Sequence, residues 1–201
     1  MAYNGAGQVS VQELDGLTGG APTFHAMWSA ITNTVVVGTT MGYAALWHTA
    51  SSTKTLRLVR VWVTVKSNST LANLTLGVKR TITNPAGGTA VTPSPADPRD
   101  TVDTQTTVQT NNADLWAPGT PPAYAATSAD AQAYWRNALY TAGSSGSTPA
   151  WGTPTMLYDY KPGRAKALLL RPSVAEGFVV TVDTEGNTGL SLGGGFEWTE
   201  E

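Results

Sequence analysis

The chain has 201 residues and a net charge of −2, and only 13% of its residues are charged, against roughly 25% in an average globular domain. It contains no cysteine, which excludes a disulfide framework, a thiolate metal site and a cysteine nucleophile. It has no apolar run of about 18 residues or more, and its start lacks the pattern of a signal peptide. We therefore expect a soluble, mostly β protein with no membrane partner.

The beginning of the chain, 1–22, is rich in glycine and has one short apolar pattern, VSVQEL. This segment has too little apolar surface to fold alone. We predict an extended N-terminal arm that becomes ordered on a neighbouring copy or on a larger assembly. The remainder, 23–201, is predicted to be a single β-sandwich domain with a loop-rich insertion at 84–154.

The stretch TLRLVRVWVTVK, 55–66, alternates as a strand does, but the alternation is imperfect. Four β-branched residues at alternate positions form an apolar stripe that we predict to face the core, namely Val59, Val61, Val63 and Val65. The opposite face then carries Arg60, Trp62 and Lys66. We predict that the following run, LANLTLGVKRT at 71–81, pairs with this strand as a hairpin.

The face of Trp62 is predicted to be a contact surface, because a large aromatic residue flanked by polar residues tends to mark one. A sugar site would need acidic or amide neighbours, whereas the charges nearest to Trp62 in the sequence are all basic. We expect another subunit there, with Trp62 as the anchor and with Arg60 and Lys66 meeting acidic residues such as those at the C-terminus. The alternative is that a helix of the same chain, at 128–143, covers this face.

The segment 84–130 is rich in proline, glycine and threonine, so we predict neither a helix nor a central strand in it. Its part 97–120 is predicted to be an interface loop. The pattern of 128–143, with Ser128 as N-cap and Gly143 past the end, predicts one short helix. Two tryptophans in loops rich in proline and glycine are further interface candidates, Trp116 and Trp151.

Strand-like runs separated by turn residues continue to the end of the chain. The last of them are TMLYDY, RAKALLLRP, EGFVVTVD and GLSLGGGFEWTE. About eight to ten short strands of this kind are typical of a sandwich or a jelly roll. We therefore predict an all-β protein, a β-sandwich of the jelly-roll kind with long Pro/Gly-rich loops and one short helix.

Residues that carry chemistry are few. His25 and His48 have no partner histidine at metal-ligand spacing, so we predict structural histidines with satisfied hydrogen bonds. Asp97, Asp100 and Asp103 are predicted to form turns and not a metal site. There is no nucleophile elbow, so we predict no enzyme, no metal and no cofactor. Carboxylate pairs for glycoside cleavage stay open, because a sequence does not give their separation.

The distribution of charged residues and the number of tryptophans indicate which kinds of partner the chain could bind. Every charged residue from Lys54 to Arg80 is basic, whereas acidic residues dominate 97–114 and the C-terminus. Patches of opposite sign favour contacts between copies, and the basic charges are too sparse to indicate nucleic acid. The seven tryptophans fit either a carbohydrate-binding module or the anchors of a core and an interface.

The C-terminal sequence KALLLRPSVAEGFVVTVDTEGNTGLSLGGGFEWTEE resembles the end of small virion structural proteins of tailed bacteriophages. TLRLVRVWVTVK and LTLGVKRT resemble the central hairpin of that group, so the resemblance covers 43–81 and 156–201. It implies a capsid decoration (cement) protein on the capsid surface of the virion, bound to the major capsid protein or other virion proteins. It also implies a homo-oligomer, with a trimer as the favoured arrangement. The alternatives are a tail or neck component, a carbohydrate-binding β-sandwich module and an unrecognised hydrolase.

Overall fold

The computed structural model describes residues 20–33, 41–67, 73–82, 84, 88–110, 133–136, 154–161, 167–185 and 190–201. In these residues the backbone forms strands, turns and loops, and no helix. A helix that could span a membrane is accordingly not found in this part of the chain.

The described residues contain twelve strands. The first six are β1 (Thr23–Asn33), β2 (Met41–His48), β3 (Leu56–Ser67), β4 (Asn73–Thr81), β5 (Thr89–Val91) and β6 (Ser94–Pro95). The last six are β7 (Thr106–Thr110), β8 (Ala133–Arg136), β9 (Thr155–Asp159), β10 (Leu168–Leu170), β11 (Glu176–Glu185) and β12 (Leu190–Glu200).

The strands form two six-stranded sheets in which every pair is antiparallel. The first sheet has the order β10-β3-β12-β1-β6, and β9 pairs with a further part of β3. The second sheet has the order β5-β7-β2-β11-β4-β8. Four of the pairs are nested along the chain: β1 pairs with β12, β2 with β11, β3 with β9 and β4 with β8. The prediction of an all-β protein is thus confirmed.

The core lies between the sheets and is filled with aromatic and aliphatic side chains. Phe24 and Trp198 lie 6.1 Å apart between ring centroids, and Trp28 and Phe196 lie 5.5 Å apart. Tyr43 of the second sheet accepts a hydrogen bond from the Leu192 N–H of the first sheet at 3.1 Å. Burial raises the pKa of this tyrosine. Each large side chain buried here contributes about 2 to 3 kcal/mol to folding.

The imperfect alternation of β3 is caused by a β-bulge. Leu58 pairs with Trp198, but Arg60 pairs with Glu197, so Val59 is an extra residue opposite β12. Side chains of a strand point alternately to its two faces, and an extra residue shifts this alternation by one position. Two leucines face the core before the bulge and two valines after it, namely Leu56, Leu58, Val61 and Val63. The prediction for Val61 and Val63 is confirmed, that for Val59 is wrong because it is partly exposed, and the Val65 side chain lies outside the described residues.

The hairpin predicted between 55–66 and 71–81 is wrong. β3 belongs to the first sheet and β4 to the second, so the connection between them crosses from one sheet to the other. Both edges of β3 are already hydrogen-bonded to other strands, one edge to β12 and the other to β9 and β10, so β4 cannot pair with it there. A short polar loop fits either a hairpin or a crossing, and only the wider pairing decides between them.

The predicted helix at 128–143 is not seen. Ala133–Arg136 forms β8, which pairs with β4 at the edge of the second sheet, and the rest of 128–143 lies outside the described residues. Alanine, tyrosine and tryptophan at helical spacing favoured a helix, but hydrogen bonds to β4 override that weak local preference.

A strand also forms where none was expected. Thr106–Thr110 is β7, which lies between β5 and β2 in the second sheet. These five residues contain no proline, and alternate side chains are buried, namely Thr106, Val108 and Thr110. Proline density over the whole segment 84–130 therefore hid a short run with normal strand character.

Candidate functional site

The outer face of the first sheet carries a row of four residues on neighbouring strands, which we name the apolar row. In register across the sheet they are Met27 on β1, Gly195 on β12, Trp62 on β3 and Met156 on β9. The neighbours Ala26, Phe196 and Val61 are buried in the core, so by strand alternation the apolar row faces away from it.

Glycine at position 195 makes room for the indole of Trp62. A Cβ added there would collide with Cζ2 of that ring, so the ring lies directly over the glycine. Trp62 remains partly exposed, and Met27 is 62% exposed. The apolar row is therefore a solvent-facing apolar surface that the described chain leaves uncovered.

A second row runs beside the apolar row on the same face, and we name it the charged row. In register it consists of His25 on β1, Glu197 on β12, Arg60 on β3 and Asp159 on β9. Arg60 Nη1 lies 3.4 Å from Glu197 Oε2, and Arg60 Nε lies 3.6 Å from Asp159 Oδ1. Exposed pairs of this kind add about 1 kcal/mol or less to folding.

The acidic partners of the basic residues on β3 come from the same chain. Arg60 contacts Glu197 and Asp159, and Arg57 Nη2 lies 2.9 Å from Glu201 Oε1. The sequence predicted that Arg60 meets C-terminal carboxylates of another subunit, whereas here it pairs with Glu197 and Asp159 of its own chain, so a contact with another subunit stays a prediction. The premise that only basic charges surround Trp62 is wrong, because carboxylates reach this face from β9 and β12.

The structure brings together two of the five predicted interface residues. Arg60 and Trp62 lie in adjacent rows of the outer face. Lys66 lies in β3, but its side chain is outside the described residues, as are Trp116 and Trp151 altogether.

Sequence reasoning missed Met27, Glu197 and Gly195 as parts of this surface. Glycine within a strand often marks a close approach of another group, so the glycine run at 193–195 was the available signal. No local signal assigns Met27 to the face of Trp62, because the two strands are both paired with β12 and not with each other.

The outer face of the second sheet is built in the same way but is buried. Trp47 lies over Gly177 of the neighbouring strand, where an added Cβ would be 2.8 Å from the indole Cε3. Trp47 is 4% exposed, and Ala45 and Val179 beside it are fully buried. They alternate with core residues such as Leu46 and Phe178, so the chain itself covers this outer face.

A buried polar cluster closes one end of the two sheets. The Ser52 hydroxyl donates to Asp103 Oδ2 at 2.5 Å, and the Asp103 N–H donates to Glu200 Oε2 at 2.9 Å. Trp198 Nε1 donates to the other oxygen of Glu200 at 3.0 Å. These bonds connect the loop after β2, the loop before β7 and the end of β12. Burial tends to raise the pKa of Asp103, but hydrogen bonds from Ser52 and the Gln105 N–H lower it overall.

His48 lies inside this cluster and is fully buried. Neither of its ring nitrogens has a hydrogen-bond partner in the part of the chain that the structure describes, so the prediction of a satisfied histidine is wrong. Burial lowers its pKa, while the charges of Asp103, Glu200 and Glu176 act in the opposite direction. The Ser52 hydroxyl donates to Asp103 and not to His48, so these residues do not form a nucleophile and base.

Glu176 is a buried carboxylate held by two arginines. Arg80 Nη1 lies 2.8 Å and Arg171 Nη2 3.0 Å from its Oε2. Burial alone would raise the pKa of Glu176, but the hydrogen bonds from Arg171 and the charge of Arg80 lower it overall. Among the described residues, no group of three or more histidine and acidic side chains is arranged to hold a metal ion.

The acidic loop before β7 forms turns, as the sequence predicted. Asp97 Oδ1 accepts the Arg99 N–H at 3.0 Å, and Asp103 Oδ1 accepts the Gln105 N–H at 2.9 Å. Side-chain bonds to the backbone two residues further on are the usual role of aspartate in turns.

Comparisons of the chain with protein-family models, with curated proteins and with solved structures found no match.

Proposed function

We propose that the chain is a virion structural protein of a tailed bacteriophage, a capsid decoration protein that acts as a homo-oligomer. The observation that carries this proposal is the exposed apolar row beside the charged row on the outer face of the first sheet. Methionine, aromatic residues and arginine are the types enriched in protein interfaces, and Met27, Trp62, Met156 and Arg60 are of these types. An exposed patch with this composition and a polar rim is typical of a protein contact.

The jelly-roll fold is part of the proposal, and the nested strand pairs support it. A jelly roll forms when a long antiparallel ribbon folds over, so that the first strand pairs with the last and successive strands alternate between two sheets. The pairs β1 with β12, β2 with β11, β3 with β9 and β4 with β8 follow this order. Jelly rolls are common in viral capsid and lectin domains.

The partner and location rest on the resemblance described above. Under the proposal the homo-oligomer binds the major capsid protein or a neighbouring virion protein at the capsid surface. Under the proposal the chain carries out no catalysis, and in the described part of the chain Ser52 donates its hydroxyl to Asp103 and not to His48. A tail or neck position uses the same kind of protein contact.

A carbohydrate-binding module is the second candidate, and one observation favours it. Trp62 offers a partly exposed ring, and the carboxylates of Glu197 and Asp159 lie in the next row. An aromatic platform beside carboxylates is suited to the apolar face and the hydroxyl groups of a sugar. The ion pairs to Arg60 do not exclude this use, because each engages one oxygen of its carboxylate.

The test is binding to phage particles that lack this protein. The purified chain should bind to the capsid in electron micrographs after immunogold labelling, and Trp62→Ala should reduce the occupancy. Ile82→Ala is the matched control, because Ile82 is 53% exposed but directly follows β4, a strand of the other sheet. Labelling of tails would place the protein in the tail and not on the capsid. Failure of the wild-type chain to bind any particle would contradict the proposal. Glycan binding that is lost in Trp62→Ala would favour the second candidate.

A further inference from the structure

The order of charges in the charged row is self-complementary. Across the sheet from β1 to β9 the row reads His25, Glu197, Arg60 and Asp159. Read in reverse, every acidic residue takes the place of a basic residue or histidine. A surface with this property matches an identical surface that is turned over by a twofold rotation.

A particular twofold axis achieves this match in both rows at once. The axis lies in the plane of contact, runs parallel to the strands and passes between β12 and β3. It places β12 of one copy over β3 of the other, and β1 over β9. Each row then faces the same row of the second copy in reverse order.

We propose that the partner of this face is the same face of a second copy of the chain, related by this axis. In the charged row, Arg60 of one copy faces Glu197 of the other, and His25 faces Asp159. In the apolar row, the two Trp62 rings meet at the axis, because each extends from β3 over Gly195 of β12. The inference rests on the proposal that this face is a protein contact, and it does not depend on binding to a virion.

The size of the face fits a stable dimer. Three of its strands run for eleven or twelve residues and β9 for five, so at about 4.8 Å spacing and about 3.3 Å rise the face covers about 600 Å². Specific interfaces bury about 800 Å² on each partner. Packed sheets keep their strands within about 30° of each other, so the central pair, Arg60 and Glu197, stays opposed.

The inference distinguishes a dimer from the trimer that the resemblance favours. A closed trimer joins two different patches of the chain, whereas the two rows described here are complementary to themselves. Self-complementary rows therefore favour a twofold and not a threefold arrangement.

The test uses two charge reversals and their mixture. In Arg60→Glu each homodimer would oppose acidic residues, and in Glu197→Lys each would oppose basic residues, so both variants should lose dimerisation in sedimentation velocity. In an equimolar mixture the introduced glutamate of one variant faces the introduced lysine of the other. The mixture should therefore regain a species of twice the chain mass.

Mixing separates contacts between copies from contacts within one copy, because it does not change the fold of either variant. Circular dichroism should show that both single variants are folded, and Arg99→Glu, which alters an exposed ion pair in a loop, should remain dimeric as the control. A monomeric or trimeric wild-type chain, or folded variants whose mixture stays monomeric, would overturn the inference. A dimer that behaves as expected but binds no particles would leave the inference standing and contradict only the proposed function.

Discussion

The two outer faces of the molecule are built with the same device and have opposite exposure. In each, a tryptophan lies over a glycine of the neighbouring strand, Trp47 over Gly177 and Trp62 over Gly195. Trp47 is 4% exposed, whereas Trp62 is partly exposed and Met27 beside it is 62% exposed. The local strand pattern of the two faces is alike, so the difference lies in what covers each face. The chain covers the outer face of the second sheet, whereas the described residues leave Met27 and part of Trp62 on the outer face of the first sheet uncovered.

A tryptophan over a glycine is thus not in itself a sign of a core or of an interface. What separates the two is the burial of the neighbouring residues. On the face of Trp47 the neighbours are buried, the aliphatic Ala45 and Val179 as well as the polar Thr81 and Lys79. Trp62 is bordered by the ion pairs of Arg60, which need no burial.

Alanine at each glycine should separate the two faces most strongly. In Gly177→Ala the new Cβ meets the Leu46 carbonyl oxygen at 2.5 Å and a buried indole, so neither neighbour can move away easily. We expect a loss of about 3 kcal/mol in the free energy of unfolding. In Gly195→Ala the partly exposed Trp62 can swing outward, and the loss should be under about 1.5 kcal/mol. Urea unfolding measures both, and equal losses would contradict the comparison.

Adjacent positions on β3 give the next largest contrast. Val61→Ala removes two buried methyl groups and should cost about 2 kcal/mol of folding free energy. Trp62→Ala should cost less in folding but should weaken self-association by about 2 kcal/mol or more, as the loss of an interface anchor does. Thermal melts at low concentration and sedimentation at high concentration separate the effects. If Trp62→Ala lowers the melting temperature as much as Val61→Ala does, the chain itself covers this face.

Acid should destabilise the fold through His48 and Asp103 in the buried polar cluster and through the buried carboxylate of Glu176. The folded pKa of His48 is below its ordinary value of 6.5, so the unfolded chain takes up a proton first as the pH falls. The stability contributed by neutral His48 is therefore present above about pH 6.5 and is lost below it. Asp103 and Glu176 have lowered folded pKa values, so they add a second loss near and below the ordinary carboxylate range.

Replacing the histidine isolates the first of these two stages. His48→Gln should flatten the melting temperature between about pH 6.5 and 5 and leave the second, carboxylate stage in place. The wild-type chain and the variant are compared in thermal melts over the full pH range. Identical slopes between about pH 6.5 and 5 in the two proteins would show that His48 does not contribute.

The smallest effect on folding is expected at the most exposed residue of the apolar row. Met27→Lys places a charge on a side chain that is already 62% exposed, so the melting temperature of the monomer should stay within about one degree. Self-association should still weaken, because the charge would be buried between copies. Light scattering over a concentration series measures this, and unchanged association would remove Met27 from the contact.

Much of the strand content was predictable, because alternation and turn residues depend on near neighbours. TLRLVRVWVTVK indicated that Val61 and Val63 face the core and that Trp62 faces away from it, and both are so in the structure. The bulge at Val59 was not predictable, because it depends on the register with β12.

Pairing between distant strands accounts for the other errors. The position of β4 in the second sheet and the strand at 133–136 follow from hydrogen bonds to residues far away in the chain. Only the part of the candidate surface that lies on a single strand was predictable from the sequence. Arg60 and Trp62 share a strand, whereas Met27 and Glu197 join them only through sheet register.

Hydroxyl-radical footprinting by mass spectrometry tests most directly whether the outer face of the first sheet is the contact between copies. Oxidation of each side chain is compared between dilute and concentrated protein. We predict that Met27 and Trp62 become protected on concentration, that Ile82 stays equally reactive, and that Trp47 is unreactive in both samples. Equal oxidation of Met27 and Trp62 in the two samples, while sedimentation shows association in the concentrated one, would contradict the account.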